Sequence, residues 1–341
     1  MRLNKVSGRG LFVGIDGGGS KTACLVGDAE GRILAYGEGE SANVKSRPRD
    51  QVEGTLLSLI RDTLNRAGGS LVNVSSVILG LAGGHRPSDK QRMIGFLRPH
   101  LPPEAMIRVY NDAETALAAG TWGQAGIVLI AGTGSIAHGF VPEREYGIRV
   151  GGWGYLLGDE GSGYDIGRKA LMAVVRNADG IAEAPELSEA VLGHLKIGDP
   201  QQLIDLFYEE ANARKRIAKL AELVVELAAS GNAPAKGIVR EAIQDLLRLA
   251  AAARSKVAAG IGDEGSELPL MLAGGLFGNA YFAAQFMTAM GSETFGGSVS
   301  VLKHPPVIGA YVIGLIRSGI EINELKIQSI LRSWEETQRE I

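Results

Sequence analysis

Residues 11–27, LFVGIDGGGSKTACLVG, predict two β-strands joined by a turn with three consecutive glycines. The strands are expected at 11–15 and 22–27, and the turn signal at 28–31 leads to a third strand at 32–37. The chain therefore opens with a β-meander and not with a strand followed by a helix. This opening argues against a simple doubly wound fold.

The same order of elements begins again later in the chain. Residues 126–131 (GIVLIA) predict a strand that ends at the turn Gly132-Thr133-Gly134-Ser135, and the next strand is expected at 136–140. Helices follow in both halves, although no residue-level self-similarity accompanies the repeat. The pattern predicts two α/β lobes that arose by duplication.

The length of 341 residues suits two domains of ordinary size. We expect an N-terminal lobe at 1–119 and a C-terminal lobe at 120–306, with C-terminal helices from about 307–341 packing on the first lobe.

The composition excludes several classes of protein. Hydrophobic residues make up 45% and charged residues 21%, as in folded soluble domains. The net charge is −3 without a Lys/Arg run, so no nucleic-acid partner is expected. Cys24 is the only cysteine, which excludes a disulfide framework and a cysteine-built zinc site. We find neither a signal-peptide pattern nor a membrane-length apolar run, and expect a cytoplasmic protein.

The first glycine turn could hold phosphate. Three glycines let backbone N–H groups approach phosphate oxygens, and Ser20, Lys21 and Thr22 add donors. Asp16, just before the turn, suits Mg²⁺ held through water. The turn differs from a Walker A loop because Lys21 follows Ser20 and no helix comes next. An ordinary glycine-rich hairpin is the alternative.

A second glycine turn strengthens the phosphate interpretation, and a third glycine turn is open to two explanations. Residues 132–135 form another strand-to-strand turn with hydroxyls, and two such turns are less expected by chance than one. At 272–279 (LAGGLFGN), two glycines lie where a strand ends and a helix begins, which places backbone against a ligand. Close strand–helix packing explains the third turn equally well.

Asp112 follows a strand and precedes a helix in Tyr110-Asn111-Asp112-Ala113. A helix N-cap is the ordinary role of an aspartate at such a position. In phosphoryl transfer, however, a carboxylate must accept the proton of the attacking hydroxyl. Both roles remain open from the residues alone.

The stretch 151–163, GGWGYLLGDEGSG, combines tight-turn glycines, the flat apolar face of Trp153 and the acceptors Asp159 and Glu160. Aromatic planes and acceptor-rich groups together suit a polyol ligand. The alternative is that one of the acids caps the following helix while Trp153 lies in the core.

Taken together, these segments resemble the N-acetylglucosamine kinase branch of the BadF/BadG/BcrA/BcrD ATPase family, within the actin/hexokinase/Hsp70 superfamily. The resemblance extends over residues 11–318, and its most specific part is GGWGYLLGDEGSGYDIG at 151–167. The glycine turns, NDA at 111–113 and AGG at 273–275 follow the family's order and spacing.

The resemblance implies an α/β enzyme of the actin/hexokinase type, with two ribonuclease-H-like lobes around a nucleotide cleft. It assigns Asp112 as the general base, and it assigns sugar binding to Asn43, Asp112, Gly152, Trp153, Gly154 and Asp159. The residues expected at ATP are Gly18, Gly19, Ser20, Lys21, Thr22, Thr133, Gly134, Ser135, Gly231, Gly275 and Asn279. Mg²⁺ would accompany ATP as the cofactor, and homodimers are common in the family.

The implied reaction is phosphorylation of N-acetylglucosamine at its 6-hydroxyl. Glucosamine and N-acetylmuramic acid could replace it as acceptors, because they differ from N-acetylglucosamine only by an acyl group or a lactyl ether. Two functions of a different kind also remain open: an ATPase switch acting on a partner protein, and a sugar sensor without turnover. Activator ATPases that share an iron–sulfur cluster between subunits are excluded, since Cys24 is the only cysteine.

Overall fold

The computed structural model describes residues 10–18, 21–41, 49–81, 87–142, 146–208, 213–262, 267–291 and 297–339. The strands are β1 Leu11–Gly17, β2 Lys21–Gly27, β3 Ile33–Glu40, β4 Val74–Leu81, β5 Met106–Asn111, β6 Gly126–Ala131, β7 Ser135–Val141, β8 Tyr146–Gly151, β9 Leu270–Ala273 and β10 Val299–Val301. The α-helices are α1 Arg49–Arg66, α2 Pro87–Leu97, α3 Asp112–Thr121, α4 Gly163–Ala178, α5 Pro185–Leu195, α6 Gln202–Tyr208, α7 Ala213–Ala229, α8 Ala233–Ile261, α9 Gly275–Gly278, α10 Ala280–Met290, α11 Pro306–Arg317 and α12 Glu324–Arg339.

The chain forms two compact units that share one sheet topology. The first unit comprises residues 1–124 and 302–341, and the second comprises residues 125–301. The strand orders are β3-β2-β1-β4-β5 and β8-β7-β6-β9-β10. In each sheet the first three strands pair antiparallel, and the fourth and fifth are parallel to the first. The predicted fold class and the internal repeat are thus confirmed.

The burial of the strands in the first sheet reflects their position in it. β1 and β4 are buried along almost their whole length, as expected for strands covered on both faces. β3 alternates between buried and partly buried residues over most of its length, as expected nearer a sheet edge. The sequence reveals the central strands because an apolar run is a local signal.

Two glycines bring α11 into close contact with its neighbours in the first unit. A Cβ on Gly14 of β1 would lie 2.7 Å from the backbone nitrogen of Tyr311 and the carbonyl oxygen of Val307. A Cβ on Gly309 would lie 1.9 Å from the carbonyl oxygen of Thr115 in α3. The backbones therefore touch, and this packing positions α3 and the residue at its start, Asp112.

Helices build the core of the second unit. α4, α7 and α8 pack together over its sheet, and a Cβ on Gly167 of α4 would lie 1.9 Å from the carbonyl oxygen of Ile217 in α7. In the described residues, no helix has the length and apolar character that crossing a bilayer requires.

β10 and α9 are absent from the sequence-based prediction. β10 has three residues and exists because it pairs with β9, a contact far away in sequence. α9 has four residues and lies within the predicted glycine turn. Such short elements carry too little local signal to be predicted.

Candidate active site

Asp16 and Asp112 lie at the same edge of the first sheet. β1, β4 and β5 are parallel, and their registers align Asp16 with Gly80 and Gly80 with Tyr110. Asp112 begins α3 immediately after β5. Burial, helped by the negative charge of Asp112, raises the pKa of Asp16 to about 6, and Lys21 opposes this shift. The edge therefore carries two interacting, desolvated carboxyl groups.

Asp112 is not the helix cap. Asn111 is the N-cap of α3 and accepts a hydrogen bond from the backbone N–H of Ala113 at 3.0 Å, while Glu114 accepts from the N–H of Asn111 at 3.2 Å. The Asp112 carboxylate shares the same Ala113 N–H through Oδ1, also at 3.0 Å. Burial raises the pKa of Asp112. The capping alternative is therefore wrong, and the carboxylate keeps acceptor capacity for a ligand.

Asp16→Asn should stabilise the ligand-free protein at pH 8 by about 2–3 kcal/mol. The folded state raises the pKa of Asp16 from an ordinary 3.8 to about 6. The unfolded chain therefore binds fewer protons than the folded one between these values, and the wild type loses stability as pH rises through them. Urea unfolding of both proteins at pH 4 and pH 8 measures the difference.

The gain should disappear near pH 4, where the folded wild type is protonated. Asp62→Asn is the matched control, because it is the same chemical change at an exposed position of α1. Equal stabilities of wild type and Asp16→Asn at pH 8 would contradict the prediction.

The first glycine turn is held by backbone and hydroxyl contacts. The Gly18 N–H donates to the Lys21 carbonyl at 3.0 Å, and the Ser41 hydroxyl donates to the Gly18 carbonyl at 2.9 Å. The Lys21 ammonium is exposed and pairs with Glu38 at 2.6 Å, and Thr22 is buried. Three predicted ligand contacts lie outside the described residues: Gly19, Ser20 and Asn43. The assignments of this turn to ATP stay predictions.

Hydrogen bonds join the second glycine turn to the glycine-rich stretch 151–163, called the Trp153 loop below. The Gly152 N–H donates to the Ser135 carbonyl at 3.0 Å. The Ser135 hydroxyl donates to the Glu160 carbonyl at 2.7 Å, and the Gly163 N–H donates to the Gly132 carbonyl at 2.7 Å. Segments predicted to bind phosphate and sugar therefore meet at one edge of the second sheet. Thr133 is exposed at the tip of the turn.

Asp159 lies beneath this turn. Its Oδ1 accepts from the Ser135 N–H at 3.3 Å, and its Oδ2 pairs with Nη2 of Arg214 at 3.0 Å. The backbone of Asp159 has a φ of 65°, which is uncommon for a residue other than glycine. Burial raises the pKa of Asp159, and the Ser135 N–H and Arg214 oppose that shift. Asp159 thus connects the turn to α7.

Arg214 is a residue of the candidate site that the sequence does not reveal. It lies in α7, within the helical region that carries no motif, and its guanidinium is also 5.1 Å from the centre of the Tyr155 ring. Only the tertiary structure brings it to Asp159, because 55 residues separate the two. No local pattern marks it.

Trp153 lies at the surface and not in the core. Its side chain is 67% exposed, and the Arg149 guanidinium lies 4.8 Å from the ring centre. Gly152 and Gly154 on either side have φ values of 68° and 89°, a backbone region in which other residues are strained. The two glycines hold the loop in a shape that presents the indole. The core alternative is therefore wrong.

The third glycine turn adjoins the second. β6 and β9 are parallel, so the turns that follow them lie side by side, and a Cβ on Gly274 would lie 2.4 Å from the Ala131 carbonyl oxygen. Gly275 begins α9, and Asn279 caps α10 by accepting from the Phe282 N–H at 3.1 Å. The roles of Gly275 and Asn279 at the nucleoside stay predictions.

Gly231 lies in the turn between α7 and α8. Its φ is 104°, and a Cβ there would meet nothing within 4 Å. Its backbone conformation alone explains a glycine at this position. Its assignment to the nucleoside stays a prediction as well.

Most of the chain matches one known protein family. The model of the BadF/BadG/BcrA/BcrD ATPase family matches residues 13–314. The chain belongs to this family. The resemblance found in the sequence is therefore confirmed, and the match covers all of the second unit and most of the first.

Relatives of this family member include named sugar kinases. It is 33% identical to the N-acetylmuramic acid/N-acetylglucosamine kinase of Clostridium acetobutylicum over 302 residues, which are 88% of this chain and 97% of that protein. It is 31% identical to the N-acetyl-D-glucosamine kinase of Dictyostelium discoideum, covering 78% and 85% of the two chains. A solved structure from Chromobacterium violaceum, provisionally assigned as an N-acetylglucosamine kinase, matches with a TM-score of 0.68 at 26% identity, covering 89% and 98%.

Proposed function

We propose that this family member is an ATP-dependent kinase that phosphorylates N-acetylglucosamine at the 6-hydroxyl. The carrying observation is the Asp112 carboxylate, which is desolvated, is not used as a helix cap and lies at the sheet edge that also carries Asp16. The sugar kinase relatives support the coarser assignment to amino-sugar phosphorylation. The exact acceptor and the reacting hydroxyl are our proposals.

Asp112 would act as the general base. Its carboxylate accepts the proton of the sugar hydroxyl while that oxygen forms a bond to the γ-phosphorus, and the bond from this phosphorus to the ADP oxygen breaks. Burial raises the pKa of Asp112, and this direction suits the task because a more basic carboxylate binds the proton better. The capped start of α3 holds the carboxylate in place.

The acidic pair suits Mg²⁺ bound with ATP. The carboxyl groups of Asp16 and Asp112 interact unfavourably with each other. A hard divalent cation prefers oxygen ligands and would relieve this repulsion. Asp16 would hold the ion through water, and the ion when bound would neutralise charge on the β- and γ-phosphates. The remaining ligands would then come from the nucleotide and from water, as is usual for Mg²⁺ at phosphate sites.

Besides Asp112 and Asn43, residues of the second unit would contact the sugar. Trp153 offers an exposed aromatic face, and a Cβ on the neighbouring Gly154 would meet nothing within 4 Å, which leaves room for a ligand to approach the backbone there. Asp159 has both carboxylate oxygens engaged by protein groups, so a sugar contact would share an oxygen with Ser135 or Arg214. We therefore expect Trp153 to contribute more to sugar affinity than to phosphoryl transfer.

Trp153→Ala should raise the KM for the sugar about ten-fold, the loss expected when one aromatic contact of about 1.4 kcal/mol is removed. The KM for ATP should change little, because the variant leaves the glycine turn intact. Steady-state kinetics with each substrate varied in turn provide the measurement. Leu156→Ala is the matched control from the same loop, since its side chain is 80% exposed. An unchanged sugar KM would remove Trp153 from the sugar site.

A coupled ADP assay over a panel of sugars tests the proposed function. N-acetylglucosamine should raise ADP release well above the basal rate, whereas its 6-deoxy analogue should not. Preference for glucosamine or N-acetylmuramic acid would replace the proposed acceptor. If no sugar raises ADP release, the kinase proposal fails and an ATPase switch becomes the better explanation.

Sedimentation of the pure protein would test the homodimer, which remains a prediction.

A further inference from the structure

A cavity of about 660 Å³ lies within the second unit. It is bounded by α4, α6 and α7 and by Tyr155 of the Trp153 loop. Its walls are mostly apolar and aromatic, and they include Tyr155, Tyr164, Leu203 and Phe207. This volume lies in the range of pockets that bind small molecules. None of its described lining residues is one to which ATP or sugar binding is assigned above.

The charged residues among the described walls of the cavity are all arginines. Arg168, Arg176 and Arg214 line it, and none of the lining residues that the structure describes is acidic. Arg168 is 3.4 Å from Asp165, a residue that also pairs with Lys169. Guanidinium groups bind carboxylates and phosphates through charge-assisted hydrogen bonds. The described walls therefore offer donors to an anion, of which Arg168 and Arg214 also pair with protein carboxylates.

Exposed apolar side chains mark the same place. Ile204 is 61% exposed, Tyr208 87% and Val175 44%, and all three line the cavity. Large apolar side chains grouped at a surface and bordered by charge are typical of a binding site. Together with the arginines, they describe a ligand that has an apolar body and one negative end.

One arginine links the cavity to the second glycine turn. Arg214 lines the cavity, and its guanidinium holds Oδ2 of Asp159 at 3.0 Å. The other oxygen of the same carboxylate accepts from the Ser135 N–H in the turn assigned to ATP. Removing the partner of a buried charge is costly, so Asp159 would have to move or gain a proton if Arg214 turned toward another anion.

We propose that this cavity binds a small organic anion with an apolar body and that its occupancy weakens ATP binding by drawing Arg214 away from Asp159. The effect would reach the glycine turn through a single carboxylate within the second unit. The proposed binding of an anion is independent of the kinase function. The choice of ATP affinity as the readout rests on that proposed function.

Three matched probes test the anion preference by calorimetry on the full chain: 4-phenylbutyrate, 4-phenylbutan-1-ol and 4-phenylbutylamine. The acid should bind at least about ten-fold more tightly than the alcohol, with the amine weakest. Val175→Asp places an acid in the wall at an exposed position, so the fold is retained and the preference for the acid should be lost. Val72→Asp is the control, since Val72 is 78% exposed and does not line the cavity.

ATP titrations in the presence of 4-phenylbutyrate test the coupling. The apparent Kd for ATP should rise several-fold in the wild type and in Val72→Asp, and it should not rise in Val175→Asp. Equal binding of acid and alcohol, or acid binding that survives in Val175→Asp, would overturn the cavity as the site. An ATP affinity that does not respond to a bound acid would overturn the coupling. Because these measurements need no turnover, a failure of the kinase proposal would be seen separately in the ADP assay.

Discussion

Asp112→Asn is expected to lower turnover by about 10²–10⁴-fold, the range that a general base contributes. The amide cannot accept the proton of the sugar hydroxyl, whereas it keeps the shape of the carboxylate and its hydrogen bond from the Ala113 N–H. Most of the affinity for ATP should remain, since the glycine turns are untouched. The measurement is kcat from the coupled ADP assay, together with an ATP titration of the inactive variant.

Glu114→Gln is the matched control for this change. It removes one negative charge from the same turn of α3, and its side-chain oxygen can still accept from the Asn111 N–H. We expect kcat to stay close to the wild-type value. Near-full activity of Asp112→Asn, or an equal loss in both variants, would show that Asp112 is not the base.

Gly309→Ala should lower the free energy of unfolding by about 3 kcal/mol or more, because overpacking at backbone contact forces the helices apart. The added Cβ would lie 1.9 Å from the Thr115 carbonyl oxygen and 2.5 Å from the Ala119 nitrogen, and neither backbone atom can rotate away. Since α3 carries Asp112, the folded fraction should also lose kcat. Urea unfolding gives the stability, and turnover per folded molecule gives the activity.

Gly95→Ala separates this effect from the general effect of replacing a helical glycine. Gly95 lies in α2, and a Cβ there would meet nothing within 4 Å. Alanine should be neutral or add about 0.5–1 kcal/mol, the ordinary helix-propensity gain over glycine. A Gly309→Ala protein as stable as Gly95→Ala would mean that α11 and α3 do not pack as described.

Much of the fold could be predicted because its signals are local. The apolar runs at 11–15 and 126–131, each followed by a glycine turn, specify central strands and hairpins without reference to the rest of the chain. β10 could not be predicted, since three residues become a strand only by pairing with β9. The same holds for the candidate site. Its glycine turns could be predicted from motifs, whereas the residues that contact these turns from distant parts of the sequence could not.

By itself, the sequence determined the two β-meanders, the three glycine turns, the glycine-rich loop around Trp153 and the family, all of which depend on residues adjacent along the chain. Only the tertiary structure decided that Trp153 is exposed and which groups Asp112 and Asp159 contact. At α3, Asn111 and not Asp112 takes the cap, because the cap depends on which side chain reaches the Ala113 N–H in the folded backbone. Asp159 acquired its two partners, the Ser135 N–H and Arg214, through contacts across 24 and 55 residues, which no local pattern encodes.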